Sequence, residues 1–245
     1  LRGFDGKYIR TGPSGKINRG RYDVLQSGKN FYTLDVKQLP TKAAYRVGYN
    51  LAVSVIKKHQ DEEGSLPENV AIYWNCMDIT CCDGEGMGQV MALMGTKPIW
   101  TSSGRVSGFE IISLEELGRP RIDVTIRIGG IMRDCFPECI YYIDEVIRAV
   151  AILDESPEQN FVKKHSLEKL KNSDNHTPGE WEEVTTRIFG SRPGTFMSGV
   201  NLAVYASSWK DEKDLTDVFV YWNQYGYGKN IYGKEMPESL IGSLK

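Results

Sequence analysis

The sequence holds 245 residues, with 30 basic and 32 acidic side chains spread along its whole length and a formal net charge of −2. That length buries a sizeable core without staples, and the charge balance excludes a basic nucleic-acid footprint. No apolar run nears the roughly 18 residues of a membrane span and no charged-then-apolar leader opens the chain, so no membrane span and a cytoplasmic location are expected.

The first forty residues carry glycines at 3, 6, 12, 15, 20 and 28 with Pro13 and Pro40, which is turn chemistry with little periodicity. Residues 1–40 therefore read as an irregular leader. Opening at Leu1, the chain reads as a piece of something longer. Thr41 is the expected N-cap of an amphipathic helix with Ala44, Val47, Gly48, Leu51 and Val55 on its apolar side. After the loop 65–69, Val70 to Trp74 predicts a short strand of the buried kind. The glycine-rich stretch from Cys82 to Gly88 opens a helix through Val90, Met91 and Leu93, and further strands are predicted at Lys97 to Trp100 and Phe109 to Ile112. Ser113 caps a short turn.

Ile122, Val124, Ile126 and Ile128 then alternate with polar residues as a strand packed on at least one face. Gly129-Gly130 break it, Arg133 and Asp134 follow in the turn, and Pro137 suits the first turn of a helix running to Leu153. Strands alternating with helices over 41–156 predict an α/β domain with a mostly parallel, Rossmann-like sheet and flanking helices. From 157 to 245, helical patterns at Glu158 to Lys171, Trp181 to Phe189 and Leu215 to Tyr225 predict a helical, aromatic-rich C-terminal part packed on that domain. Ser173 to Gly179 is the expected surface loop.

Ligands of open α/β sheets sit beyond the carboxyl ends of strands, which makes Gly129 to Asp134 a functional address; an internal ion pair pinning the turn is the plainer alternative. Gly84, Gly86 and Gly88 invite phosphate, but their spacing matches neither the dinucleotide nor the Walker pattern. Asp83 reads as a helix cap, whereas Glu85 between two glycines is the better proton acceptor. Cys76, Cys81, Cys82, Cys135 and Cys139 are odd in number and match no zinc spacing, so buried free thiols in a reducing compartment are expected. His165, one turn after Phe161, is the histidine suited to act as a base or ligand; His59 and His176 read as solvated. The Ser191 to Gly199 loop around Phe196, with Trp209, Tyr221, Trp222, Tyr225 and Tyr227, supplies either core or a slot for a flat ligand.

Several collinear motifs run through these elements: Gly28-Lys-Asn-Phe-Tyr, Pro40-Thr-Lys-Ala-Ala, Gly-Glu ahead of Gln89-Val-Met-Ala-Leu-Met-Gly, Leu114-Glu-Glu-Leu-Gly-Arg-Pro-Arg-Ile-Asp-Val, Arg133-Asp134, Asn160-Phe-Val-Lys-Lys-His165 and Ser207-Ser-Trp. With them the chain resembles the large subunit of the cobaltochelatase and magnesium chelatase H-subunit family over nearly its whole length. The resemblance implies a fragment of a much longer subunit that holds a divalent metal and a tetrapyrrole as substrates, with no tightly bound cofactor, while separate AAA+ partner subunits use ATP. It implies insertion of cobalt into a corrinoid, to which the Ser-Arg-Pro-Gly loop and the Trp222-Asn-Gln-Tyr-Gly-Tyr-Gly stretch point, with magnesium insertion into protoporphyrin as the alternative. A scaffold or docking domain, or a stand-alone tetrapyrrole-binding module, are the other readings. The family's upstream His-Gly segment is absent and an often basic position is Cys81, so activity of this piece alone is not expected.

On this reading Glu85, Asp134 and His165 share a cleft as base or metal ligands, the metal going to His165 and Glu85. Arg133, Lys164 and Arg192 neutralise ring carboxylates, and Phe196 and Tyr225 bound the ring plane.

Overall fold

This computed structural model describes residues 1–10, 22, 25, 34–171 and 178–244. Most of the leader, the Gly28-Lys-Asn-Phe-Tyr motif and most of the expected 173–179 loop lie outside the described residues. Two compact units are present, Leu1–Val36 and Lys37–Lys245. The elements below all belong to the second.

Its framework is a five-stranded sheet in the order β1 (Asn69–Trp74), β4 (Asp123–Ile128), β5 (Ile188–Gly190), β6 (Tyr225–Tyr227), β7 (Tyr232–Glu235). β1 and β5 pair parallel to β4 on either side, and β6 and β7 add antiparallel pairings. The fold is α/β, with a mixed sheet whose longest ladder is parallel: Asn69 faces Asp123 and the register runs unbroken to Trp74 opposite Ile128.

β4 lies inside the sheet, with a neighbour on either side, because its sequence lets it. Val124, Ile126 and Ile128 are almost wholly buried, and Thr125 on the opposite face is nearly so. β1 differs from expectation: it lies at the edge of the sheet, with Ala71 and Tyr73 exposed on its outer face. An apolar run alone does not separate a two-sided strand from an edge strand whose second face is open.

Helix α1 (Lys42–Glu63) starts at Thr41, whose hydroxyl accepts from the Ala44 amide at 3.2 Å, and stops at Gly64 with φ +72°. Its buried stripe is Ala44, Gly48, Ala52 and Ile56, while Val47 and Leu51 of the expected stripe are exposed. The stripe follows the small residues because α1 lies hard against α3 (Glu85–Leu93). A Cβ on Gly48 would sit 2.4 Å from backbone atoms of Glu85 and Gln89, and one on Gly88 would sit 2.8 Å from the Cα of Tyr45. The Gly48 and Gly88 pair is a close-packing device between helices.

Helix α2 (Cys76–Cys81) joins β1 to α3. β2 (Thr96–Trp100) and β3 (Val106–Ile111) form a separate antiparallel hairpin, because the 101–105 connection is far shorter than the roughly dozen residues a parallel crossover needs. After the short α4 (Leu114–Leu117), Arg119 donates to the carbonyls of Ala92 and Leu93, and Arg121 to those of Met94, Gly95 and Ile112. These guanidiniums satisfy carbonyls left open at the end of α3 and tie the hairpin down.

α5 (Gly130–Cys135) replaces the expected turn after β4, and Pro137 then opens α6 (Pro137–Ala151), whose Ile143, Val146, Ile147 and Val150 are fully buried. α7 (Phe161–Lys171) and α8 (Pro178–Val184) follow. Past residue 157 the helical reading is incomplete. Ile188 and Phe189, grouped with the preceding helix by their pattern, belong to β5 (Ile188–Gly190), and two further short strands complete the sheet between α9 (Val200–Tyr205), α10 (Glu212–Asn223) and α11 (Pro237–Ser243). Strands of three residues are too short to show a period of two.

Candidate functional site at the carboxyl end of strand β4

The chain leaves β4 through Gly129 and Gly130, and the second glycine is required by its neighbours. A Cβ there would lie 3.1 Å from the Phe196 ring and 3.2 Å from the Thr195 carbonyl. The loop after β5 therefore rests directly on the first turn of α5. Arg133 holds it there. Its guanidinium is buried, donates through Nε and Nη2 to both oxygens of Asp134 at 2.6 and 2.8 Å, and donates to the carbonyls of Ser191 at 3.0 Å, Arg192 at 2.8 Å and Thr195 at 3.3 Å. Tyr227 donates to the same Ser191 carbonyl at 2.5 Å, and burial pushes its phenol up to about 12.

Arg133 is thus committed to loop and carboxylate, and it acts as a positioning residue with no spare face for a ligand. The ion pair with Asp134, the plainer alternative, is present. The Arg133 hydrogen bonds hold the half-exposed Asp134 carboxyl below the usual range. Arg192 and Phe196, carried by the same loop, face outward: Phe196 is 60% exposed and the Arg192 side chain is exposed. Tyr225 is buried, with its hydroxyl 3.2 Å from a Glu235 oxygen, and backs the loop as core.

Glu85 is the first residue of α3, beyond the carboxyl end of β1. The anion position at that helix start is filled from within. Asp78 accepts from the amides of Gly86 at 2.7 Å and Met87 at 3.3 Å and from the Trp74 indole at 2.8 Å. Burial raises its pKa above the ordinary carboxylate value despite these donors. Asp78 explains Gly86, whose missing side chain leaves room for the carboxylate 3.1 Å away. An internal acid in this place leaves no anion cradle for phosphate. Asp83 is not the cap: the N-cap is Gly84.

His165 and Lys164 lie elsewhere. An isolated parallel bridge between Arg121 and Asn160 pins the start of α7 beside the start of β4, and Asn160 caps the helix by accepting from the Lys163 amide at 3.0 Å. His165 Nδ1 is consequently 2.8 Å from Asp123 Oδ2, and Lys164 Nζ is 2.6 Å from Glu68 Oε2. Asp123 opens β4 while Asp134 follows its far end, roughly 16 Å apart along the strand at about 3.3 Å per residue. The expected gathering of Glu85, Asp134 and His165 in one cleft is therefore corrected: His165 belongs to the amino end of the sheet. What comes together at the carboxyl end is Arg133, Asp134, Arg192 and Phe196.

At the amino end Arg187, buried, donates from Nε to both Asp123 oxygens at 2.9 Å and from its other nitrogens to Val162, Val184, Thr186 and Ser166. Burial opposes ionisation of Asp123, but Arg187 and His165 outweigh it and hold the carboxyl below its usual value. Sequence reasoning missed Asp123 and Arg187. The signal for Asp123 is a charged residue in an apolar strand, which alternation alone assigns to an outward position.

Among the described residues no group of three or more His, Cys, Asp or Glu stands ready to hold a metal ion. All five cysteines are free, and burial pushes the Cys139 thiol up to about 12. No described helix is long and apolar enough to cross a membrane.

An open sheet with a loop clamped over the carboxyl end of β4 makes this an α/β domain whose clamped loop lies where ligands of such sheets sit. The chain belongs to the CobN/Magnesium Chelatase family, whose model matches residues 1–245. An uncharacterized protein of Methanocaldococcus jannaschii is 54% identical over 245 residues, covering 100% of this chain and 20% of that protein. The aerobic cobaltochelatase subunit CobN of Pseudomonas aeruginosa is 36% identical over 100% of this chain and 20% of its own length. The magnesium-chelatase H-subunit of Chlorobaculum parvum is 34% identical over 98% and 19%. In a solved structure, the catalytic subunit of cobaltochelatase from Mycobacterium tuberculosis superposes with a TM-score of 0.85 and 37% identity, over 98% of this chain and 20% of that one. The chain thus spans about a fifth of the length of these relatives.

Proposed function

We propose that this chain is part of the large subunit of an ATP-dependent chelatase, and that the carboxyl end of β4 forms one wall of its tetrapyrrole cleft. The observation carrying this reading is an exposed aromatic ring, Phe196, lying on Gly130 beside an outward Arg192, both on a loop that Arg133 holds from below. A flat apolar macrocycle with carboxylate arms needs a ring face and a bidentate cation, and this pair supplies both.

Metal insertion strips water from the ion, removes ring N–H protons and bends the macrocycle. Asp134, held ionised by Arg133, is a poor proton acceptor and a better electrostatic guide for the incoming cation. Glu85 is the proton acceptor in this scheme. Cobalt into a corrinoid is the preferred reaction, supported by the TM-score of 0.85 with a cobaltochelatase catalytic subunit. Magnesium into protoporphyrin is the alternative, since the cobalt and magnesium relatives are similar in identity at 36% and 34%. Separate AAA+ subunits using ATP, and the remainder of the large subunit, are its partners. A scaffold role is the second reading, favoured by cavities that open at the amino end and on the outer face of the sheet, away from the loop residues that Arg133 holds.

Titration of the chain with a corrinoid and with a porphyrin, followed by tryptophan quenching, tests the reading. Saturable quenching that weakens in Arg192→Gln and Phe196→Ala is expected, with the tighter ring naming the branch. Absence of quenching by either ring, or quenching indifferent to both substitutions, refutes the cleft and leaves the scaffold.

A further inference from the structure

Arg121, Arg133, Arg148 and Arg187 each meet a carboxylate, in Glu155, Asp134, Asp144 and Asp123 respectively. Arg119 spends its terminal nitrogens on carbonyls. Arg127 does neither. Its guanidinium lies over the ring of Tyr73, its partner across the ladder of β1 and β4, with Cζ 4.7 Å from the ring centre, and its Nε donates to Asn223 Oδ1 at 3.0 Å. Asn223 is itself buried and fixed, donating to the carbonyls of Phe219 at 2.7 Å and Ser198 at 3.3 Å. Nη1 and Nη2 of Arg127 are left without a hydrogen-bond partner among the described residues, and neither is sealed from solvent. An arginine held on two sides with its fork open is preorganised for an anion.

Arg127 and Tyr73 line a cavity of about 370 Å³ on the outer face of the sheet, whose other walls include Ala71, Phe219, Leu240 and Leu244. Small-molecule pockets of about 300–1,000 Å³ are built this way, apolar with a few convergent polar groups. Arg127 is the one charged residue in the lining, so no carboxylate of the wall answers it. We propose that this cavity binds an apolar monocarboxylate, with its carboxylate on Nη1 and Nη2 and its body against Phe219 and the leucines. A single guanidinium balances one negative charge. A phosphate monoester brings about 1.5 to 2, and the excess sits unpaired against an apolar wall, a desolvation cost that a carboxylate avoids. The same group is borne by the side arm of a macrocycle and by a separate small acid, and competition tells the two apart.

Octanoate is the probe, titrated into the 245-residue chain by calorimetry beside octanol and octylammonium, its uncharged and oppositely charged counterparts. Octanoate is expected to bind more tightly than octanol, and octylammonium not at all. Arg127→Gln should weaken octanoate about tenfold, to the level of octanol, and leave octanol unchanged. Ala71→Trp, at an exposed position of the edge strand, fills the cavity and should lose both. If Arg127→Gln fails to fold, Ala71→Trp against wild type carries the test. Octanoate that binds wild type no better than octanol, or binds either folded variant as it binds wild type, overturns the site. Macrocycle quenching reads the source: octanoate that displaces the macrocycle assigns the pocket to a ring arm, and octanoate that binds alongside it assigns a separate acid, the site standing in both cases. Calorimetry needs no macrocycle, so failure of the cleft and failure here are separate results.

Discussion

Arg133→Lys separates a residue that positions the site from one that touches the ligand. The guanidinium makes two contacts to Asp134 and three to the carbonyls of Ser191, Arg192 and Thr195. Lysine brings at most three donors from a single point and cannot span a fork and a loop together. The pair with the half-exposed Asp134 is worth little once solvent screening is counted. The cost lies in the loop. Each carbonyl keeps a second donor, Tyr227 for Ser191, the Thr195 amide for Arg192 and the Ser191 hydroxyl for Thr195. Losing two guanidinium bonds therefore costs about 0.5–1.5 kcal/mol each, for about 1–3 kcal/mol. If loop order precedes ligand binding, even 2 kcal/mol means about 30-fold weaker affinity, since 1.4 kcal/mol is tenfold. Two assays read this: hydrogen exchange at the Thr195 amide, which donates to Arg192 at 3.0 Å, and macrocycle quenching. Both should fall together in Arg133→Lys, whereas Arg192→Gln should lose binding with Thr195 protection intact. Wild-type exchange and affinity in Arg133→Lys would refute the assignment.

Asp123→Asn leaves Arg187 buried without its counter-charge, and urea unfolding should show a loss of about 3–5 kcal/mol. Gly48→Ala drives a methyl to 2.4 Å from α3 backbone and should cost about 1–3 kcal/mol or more, read as a lowered thermal midpoint. Lys169 donates to Ser239 and Ser243, and burial lowers its amine to about 7. The unfolded amine binds its proton below about 10.4 while the folded one waits until about 7, so stability from this group rises with pH across that window. Between pH 7 and 8, below the range where buried Tyr45, Tyr142 and Cys139 act with the opposite sign, Lys169→Met should flatten the slope of unfolding free energy against pH.

The elements legible in the sequence are those whose signal is local. Thr41 and Ser113 cap as their side chains require, the alternation from Ile122 to Ile128 marks the buried strand, and Pro137 opens its helix. Arg133 and Phe196 do lie at the carboxyl end of β4, because the crevice rule depends only on strand direction. What is not legible is non-local. Large apolar residues outrank glycine in a hydrophobicity count and point to the wrong stripe of α1, yet the glycines decide where α3 can approach. Pairing His165 with Asp134 rests on both being chemically apt, and only the Arg121 and Asn160 bridge shows that α7 starts at the other end of the strand. β5 to β7 escape detection because three or four residues contain no measurable period.

That separation of the two ends of β4 makes a physical claim about coupling. Arg187 and Ser191 flank β5, so the network around Asp123 and the loop under Arg133 are joined by one three-residue strand paired to Ile126, Arg127 and Ile128. They share no hydrogen-bond partner among the described residues, and they lie roughly 16 Å apart along β4. Sites beyond about 7–10 Å without shared partners add within about 0.5 kcal/mol. A cycle of Asp123→Asn, Arg133→Lys and the double variant, measured by urea unfolding, should therefore close to that figure. A coupling above about 1 kcal/mol would mean that β5 transmits strain from the buried ion pair to the loop, and that the amino end helps set the shape of the cleft. Additivity would leave the strand as a rigid spacer, with the buried ion pair at one end setting stability and the loop at the other setting the shape of the cleft.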